Sequence, residues 1–470
     1  MAADMPSLFE DFQLVGCWWL PGDPQRVIHG TLSHTRGSRM RLRLTNPMRV
    51  PVVEPGTSMG SVLQTFKMVL GRTDTGEECT LLGVREVSSS ALFPLDFGRT
   101  VLDVNLLFRG AHFDSEDDIR FATESVELTY LEDWVWRCPY TVNLLTEPKR
   151  AVVEIPREPT EVLKVRLSSK EAWLSATSGA SWRDSVGREF SCRHVARIDV
   201  KPDSAQLYGW FNEVVRSFSG FLTLCVRKPV YPRRILCQPA VRVGGEDGSS
   251  ALREVALYLN LGTFAAPEGE SREFIPLPVS GIPDAPTAVD SWFSLQEKIG
   301  PVYGLLLGSY FNPHMYVEPE FLGLMQALEI FHRRLIGGNY LSEEEWAEPL
   351  EMLVGAIPES LAGPHRQALK TRLRYGNEYS LRKRLQELMG GLQEATVQRI
   401  TRGEDNGFVE RCVNTRNGLV HEGSGEILSG GLQALWRTSL TLRALLTVLI
   451  LKSLGVPEVI ALGAATDALP

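Results

Sequence analysis

The sequence contains no CxxC pair, no HExxH helix and no clustered aspartates, so the usual zinc and two-metal hydrolase layouts are excluded and neither a metal nor a cofactor is expected. Its seven cysteines (Cys17, Cys79, Cys138, Cys192, Cys225, Cys237 and Cys412) are scattered and odd in number, which argues for free thiols in a reducing compartment. Long hydrophobic runs are missing too. The most apolar stretch, ALLTVLIL at 444–451, is bounded by Arg443 and Lys452 and is far too short to span a bilayer. The opening MAADMPSLFEDF has neither a basic flank nor an apolar stretch, so no signal peptide is expected and the chain reads as cytoplasmic, with no membrane partner. Excess positive charge is absent as well: the net charge is −8, so any nucleic-acid site must be a local patch.

What is present falls into two halves. FQLVGCWW (12–19), RVIHGTLSH (26–34), MRLRLTN (40–46), TLLGVREV (80–87), SVELTYLEDWVW (125–136), AVVEIP (151–156) and EVLKVRLSS (161–169) are short, often alternating, and separated by turn residues. No helical pattern runs between them, which predicts a sandwich or barrel-like β region rather than a parallel sheet. One amphipathic helix is predicted at 205–224, and a last strand at 253–262. The stretch 264–290, rich in Pro, Gly and acidic residues, reads as a linker between a domain at 1–263 and another at 291–470. Beyond it only helical patterns occur, at about 290–308, 318–336, 342–355, 364–374, 380–399, 405–421 and 428–454. The fold class is therefore α+β multidomain, with a β-rich N-terminal region and an all-α bundle after it. The tryptophans Trp18, Trp19, Trp134 and Trp136 read as β-domain core.

VNTRNGLVHEG (413–423) carries the chemistry. Phe408, Val409, Cys412 and Val413 recur at the spacing that buries one helix face, yet the continuing stripe runs into Arg416 and Asn417, with His421 a turn beyond. On an ideal helix Asn417 and His421 share a face, and Arg416 is about 100° round from Asn417. An imidazole moves protons, an amide can orient it, and a guanidinium matches phosphate oxygens. With no metal ligands, that is the equipment of RNA cleavage by the 2′-OH of the substrate itself. The spacing is equally that of a helix end whose histidine is favoured by the helix dipole. Arg188 and His194 fit the loose spacing too, in a strand-like segment, and are read as a decoy.

The second half resembles the HEPN family (higher eukaryotes and prokaryotes nucleotide-binding), and the whole chain is similar to the ApeA type of bacterial anti-phage protein. QALEIFHRRLIGG (326–338), RLRYGNEYSLRKRLQELM (372–389) and FVERCVNTRNGLVH (408–421) carry the helical part of the resemblance, and GCWWLPGDPQRVIHGTLSHTRGSRMRLRL (16–44) carries the rest. Arg416 and His421 match the family's Arg-x4–6-His ribonuclease motif, and Asn417 takes its frequent polar position. The resemblance implies a defence endoribonuclease that cuts host RNA, with tRNA as leading substrate. It also implies a phage-derived trigger acting on the N-terminal region and a homodimer through the HEPN domain. The rival reading is a non-catalytic module that binds a nucleotide, RNA or a protein.

Two further groups have paired readings. Glu329 and Arg333 are an ordinary ion pair four residues apart, or resemble the Glu-x3-Lys/Arg element that some HEPN toxins carry near the active site. The run from Arg366 to Arg384 holds Arg366, Lys370, Arg372, Arg374, Arg382, Lys383 and Arg384 against Glu378 alone. It is a solvated helix face, or an RNA-binding strip with Tyr375 and Tyr379 for base stacking. Arg334 joins Arg374, Arg382, Lys383 and Arg384 as a candidate RNA contact.

Overall fold

The computed structural model describes residues 5–49, 63–92, 97–146, 149–185, 188–240, 254–260, 274–422 and 431–466. Two compact units divide the chain, one of Met1–Leu222 with Val230–Ser280 and one of Thr223–Pro229 with Gly281–Pro470.

In the first unit, β1 (Phe12–Leu20), β2 (Asp23–His34), β3 (Met40–Leu44), β4 (Thr65–Thr73), β5 (Glu78–Leu92) and β6 (Phe97–Val104) close into an antiparallel barrel in the order β1-β2-β3-β6-β5-β4. β3 shows why: Met40, Leu42 and Leu44 are buried while Arg41 and Arg43 are exposed, the period of two that gives a strand one inner face. Trp18 is wholly buried against Gly71 of β4, where an added Cβ would lie 2.2 Å from the indole, so only glycine fits there.

β7 (Leu106–Arg109) follows β6 and leads into a second antiparallel layer. That layer contains β8 (Arg120–Leu128), β11 (Thr160–Leu167), β12 (Ala172–Asp184), β13 (Phe190–Pro202), β15 (Pro232–Pro239) and β16 (Val255–Leu259), in the order β11-β12-β13-β8-β15-β16-β7-β5. β9 (Thr141–Thr146) and β10 (Lys149–Glu154) form a separate hairpin, and the short β14 (Gln206–Leu207) pairs with β8. α2 (Tyr208–Val226) turns its aromatic face to this layer: Phe211 meets Phe121, and Phe218 and Phe221 meet Trp134.

One expected strand is corrected here. Residues 125–136 run as β8 only to Leu128; Tyr130 then takes a left-handed conformation and the chain turns into α1 (Leu131–Val135). Leu131, Trp134 and Val135 are buried, a spacing of three and four that suits a helical turn rather than alternation. Trp134 is core, as expected, whereas Trp136 stands 45% exposed.

The second unit is helical: α3 (Ala285–Ile299), α4 (Pro301–Phe311), α5 (Val317–Leu335), α6 (Glu343–Gly355), α7 (Gly363–Arg374), α8 (Leu381–Gly390), α9 (Glu394–Thr401), α10 (Asp405–Asn417), α11 (Gly431–Ser453) and α12 (Glu458–Thr466). The pattern read as one helix at 290–308 is broken by Gly300 at φ 49 followed by Pro301, which cannot donate to a continuing helix. α5 packs against α4 and α11 at the centre. Among the described residues α11 is the one helix long and apolar enough to cross a membrane, and 61% of its apolar window is buried within the protein. No residue of α6 or α7 is buried, and the two helices pack on each other.

Candidate active site

α10 buries Phe408, Val409 and Cys412, so the stripe begins as its sequence spacing predicts. It then rises out of the core. Arg416 is half-buried, Asn417 is exposed and Val420 is 49% exposed. The winding changes at the same place, because α10 ends at Asn417 and continues as a π turn over Gly418–Glu422. This corrects the expectation of an unbroken α-helix to position 421.

The change matters for the motif. Under α winding, positions 416 and 421 are about 140° apart. A π turn pairs residues five apart along the helix, which brings positions of that spacing toward one face. Arg416 stands in the last α-wound turn and position 421 in the wider one, so their separation is less than ideal α winding gives. The Arg416 Nη1 donates to Asn417 Oδ1 at 3.3 Å, so the guanidinium and amide act as one unit at the start of the turn. The side chain of His421 lies outside the described residues. Cys412, one turn earlier, is a poor nucleophile, because burial pushes its thiol up to about 12.

α8 is tied to this helix by Arg382, whose two Nη atoms donate to both Glu410 carboxylate oxygens at 3.0 and 2.9 Å. Arg382 thus has a carboxylate partner on α10. Lys383 lies 3.4 Å from Glu387 and over the ring of Tyr379. Arg374 is exposed at the end of α7, and Arg334 donates to the Lys298 carbonyl at the end of α3. Tyr375 is exposed, whereas Tyr379 is half-buried and edge-on to Tyr340.

Arg384 departs from the expected strip altogether. It is 1% exposed, because position 384 lies on the same α8 face as Leu385 and Leu388, which pack inward. Its Nε donates to the Tyr379 carbonyl at 3.1 Å, and its Nη1 donates to the Gly337 carbonyl at 2.7 Å and to His332 Nδ1 at 3.0 Å. A guanidinium can only donate, so His332 Nδ1 accepts and Nε2 carries the proton it gives to Glu387 at 2.9 Å. That hydrogen bond is the main reason the Glu387 carboxyl is held below its usual range. Burial is the largest influence on Arg384 and lowers its pKa, followed by the neighbouring Arg333. Gly338, at φ 115 beside the Tyr379 ring, supplies the turn that brings α5 back to this residue.

Glu329 and Arg333 pair at 3.2 Å, and Arg333 also reaches Glu378 at 2.9 Å. No hydrogen bond or ion pair joins this group to Arg416 or Asn417 among the described residues. Glu387 and Glu410 are partners that sequence reasoning did not assign, and His332, expected between Glu329 and Arg333 as a packed or surface histidine, is packed. His332 and Arg384 gave a signal in sitting on apolar helix stripes. In the first unit His194, of the decoy pair, lies in β13 and its Nε2 is 2.8 Å from Ser178 Oγ. Among the described residues no group of three or more His, Cys, Asp or Glu side chains stands close enough to hold a metal ion.

Comparison with known proteins gives two matches. The family model described as ApeA N-terminal domain 1 matches residues 13–260, and the one described as Apea-like HEPN matches residues 322–459. No curated protein and no solved structure matches the chain. The first match alone covers more than half the chain and contains the barrel and its adjoining layer, while the second spans α10 and its π turn. The chain belongs to the ApeA family, as a defence-associated protein with a C-terminal HEPN domain.

Proposed function

We propose that the helical unit is a metal-independent endoribonuclease acting on host RNA, with tRNA the leading substrate, in defence against phage. The observation that carries this reading is the junction of Arg416 and Asn417 with the π turn that holds position 421. The turn closes α10, and since π turns recur at helix C-termini as well as at functional sites, it is the polar pair Arg416 and Asn417 at its start that supports the reading. In this mechanism His421 takes the proton of the 2′-OH, whose oxygen attacks the adjacent phosphorus. Arg416 stabilises the charge gathering on the phosphate oxygens, and Asn417 positions the groups around it. The P–O5′ bond breaks as the departing O5′ takes a proton from a general acid or water, leaving a 2′,3′-cyclic phosphate and a 5′-hydroxyl.

In-line cleavage benefits from both an acid and a base, and a two-fold dimer would supply a second His421. Exposed Val420 before residues 423–430, and Leu432 and Trp436 after them, support an apolar contact at this end of the unit. RNA contacts fall best to α7, whose Arg366, Lys370, Arg372 and Arg374 face no acidic residue of their own helix and run into exposed Tyr375. The β-rich unit is the receiver of a phage-derived trigger, and the setting is the cytoplasm.

The test is cleavage of total tRNA in EDTA by wild type, His421→Ala and Arg416→Ala, with end chemistry determined. We expect cyclic-phosphate ends from wild type and at least a hundredfold loss in both variants, an effect typical of removing an acid/base or a charge-stabilising group. Retention of near wild-type cleavage by either purified variant rules out the assignment.

A further inference from the structure

The β11-β12-β13-β8-β15 region presents two unlike faces. Ala176, Ile198, Val126 and Ile235 alternate onto the buried one. Their neighbours fall on the other: Thr177 pairs with Arg197, and Arg234 pairs with Glu127, on either side of the β13–β8 ladder that sets Ile198 against Val126. A pocket of about 220 Å³ lies on this side, walled by Pro156, Arg157 and Pro159 from the chain between β10 and β11. Gly179 forms part of its floor, where an added Cβ would come within 3.3 Å of Pro159.

The lining is charged in one sense. It holds four arginines, Arg157, Arg193, Arg197 and Arg234, against one carboxylate, Glu127. Glu127 accepts from Arg234 Nη1 at 3.2 Å, and Arg197 lies 3.5 Å from Asp199. Arg157 and Arg193 are exposed and have no acidic partner among the described residues. Glu127 and Asp199 compensate two of the four arginines, which leaves the charges of Arg157 and Arg193 at the edge of the pocket to be met by an anion.

A second observation points the same way. Arg234 Nε and Thr177 Oγ1 are buried and have no hydrogen-bond partner among the described residues, while Arg234 Nη2 donates to the Met5 carbonyl at 3.0 Å, and both residues line this pocket. A buried polar group without a partner costs on the order of 1–3 kcal/mol. Arg234 Nε can only donate and the Thr177 hydroxyl is able to, so an acceptor satisfies both.

We infer that this pocket binds the phosphoryl group of a small molecule, a nucleotide or inorganic phosphate. A phosphoryl group offers the several acceptor oxygens and the extra charge that the uncompensated forks of Arg157 and Arg193 match, where a single carboxylate offers two oxygens and one charge. The volume is below the roughly 300 Å³ at which pockets begin to enclose whole drug-sized ligands. It therefore takes the phosphoryl end, while Arg157 and Arg193 at the exposed edge meet what is attached. The site is in the β-rich unit and is independent of the reading given to Arg416 and His421.

The experiment is calorimetric titration of the full chain with inorganic phosphate, pyrophosphate and ATP, each without added metal, beside an RNA oligonucleotide. Wild type should show saturable one-to-one binding of at least one of the three small probes, with phosphate competing against it. ATP tighter than phosphate identifies a nucleotide site, and equal affinity identifies a site for the phosphoryl group alone. Arg157→Glu with Arg193→Glu, at exposed positions, should weaken binding by about tenfold or more, and Thr177→Val should weaken it by a smaller factor. No saturable binding of any small probe into the millimolar range, binding of RNA alone, or affinity unchanged in both variants overturns the proposal.

Discussion

The two units bury ionisable groups by opposite means. In the β-rich unit Glu124 is 1% exposed and accepts only a long hydrogen bond from Cys237 Sγ, at 3.5 Å. Burial pushes its carboxyl up to about 8, so at neutral pH it is mostly an uncharged acid among Cys237 and Tyr208. In the helical unit Arg384 is equally hidden, yet its guanidinium reaches two carbonyls and an imidazole nitrogen, with Glu378 at 3.7 Å. One group is accommodated by losing its charge, the other by having its donors answered. The first arrangement responds to pH, and the second is vulnerable to the loss of any one member.

The sharpest break in that contrast is Arg384→Leu. It leaves the Gly337 and Tyr379 carbonyls and His332 Nδ1 without their donor and Glu378 without a buried counter-charge. Removing one member of a buried charged network costs about 3–5 kcal/mol. A chemical-denaturation midpoint shift of that order is expected for the helical unit, and an unchanged midpoint would show that Arg384 contributes no more than a surface residue.

Glu124→Gln tests the other arm, and its sign depends on pH. The folded pKa lies above the unfolded value, so the wild-type contribution is fully present below about 4.5 and is lost as pH rises through about 8. Across that window wild type should lose up to ~1 kcal/mol per pH unit relative to the variant. Thermal unfolding of both proteins from pH 5 to 9 reads this directly: parallel curves would mean that Glu124 does not titrate in the folded state.

The smallest effect belongs to Glu410→Gln, which breaks the exposed pair with Arg382. Surface pairs contribute less than about 1 kcal/mol and fade with salt. Stability should barely change. If the pair also sets the angle of α10, RNA cleavage should fall more than stability does, and equal small changes in both would limit the pair to the surface.

Much of this was legible in the sequence, for reasons that can be named. β3 alternates cleanly because one of its faces is inside a barrel. α6 starts where Ser342 and Glu345 form a reciprocal capping box, and α11 is followed by Gly455 at φ 84. β4 was missed because positions 68 to 71 are all buried, which erases the alternation by which strands are read. β12, AWLSATSGASWRD, was missed because small and polar residues occupy so many of its positions. Arg416, Asn417 and His421 stood out as polar residues on an apolar stripe. His332 and Arg384 obey the same rule, but they are 52 residues apart, and only the fold brings the imidazole to the guanidinium. Arg384 was misread because the cations beside it made the segment look uniformly exposed.

The π turn has a consequence for how this helix tolerates change in length. An inserted or deleted residue in an ordinary helix rotates everything beyond it by about 100° and is seldom accepted. Where the winding already switches between two repeats, one residue more or less can be absorbed by lengthening or erasing the wide turn. Gly418–Glu422, which itself contains position 421, is such a change of winding directly after Arg416 and Asn417. On the function proposed above, a motif that admits four to six intervening residues would keep one arrangement of its polar groups by this means. In such a helix the number of residues between arginine and histidine is a poor guide to their separation, and the local pitch is the better one.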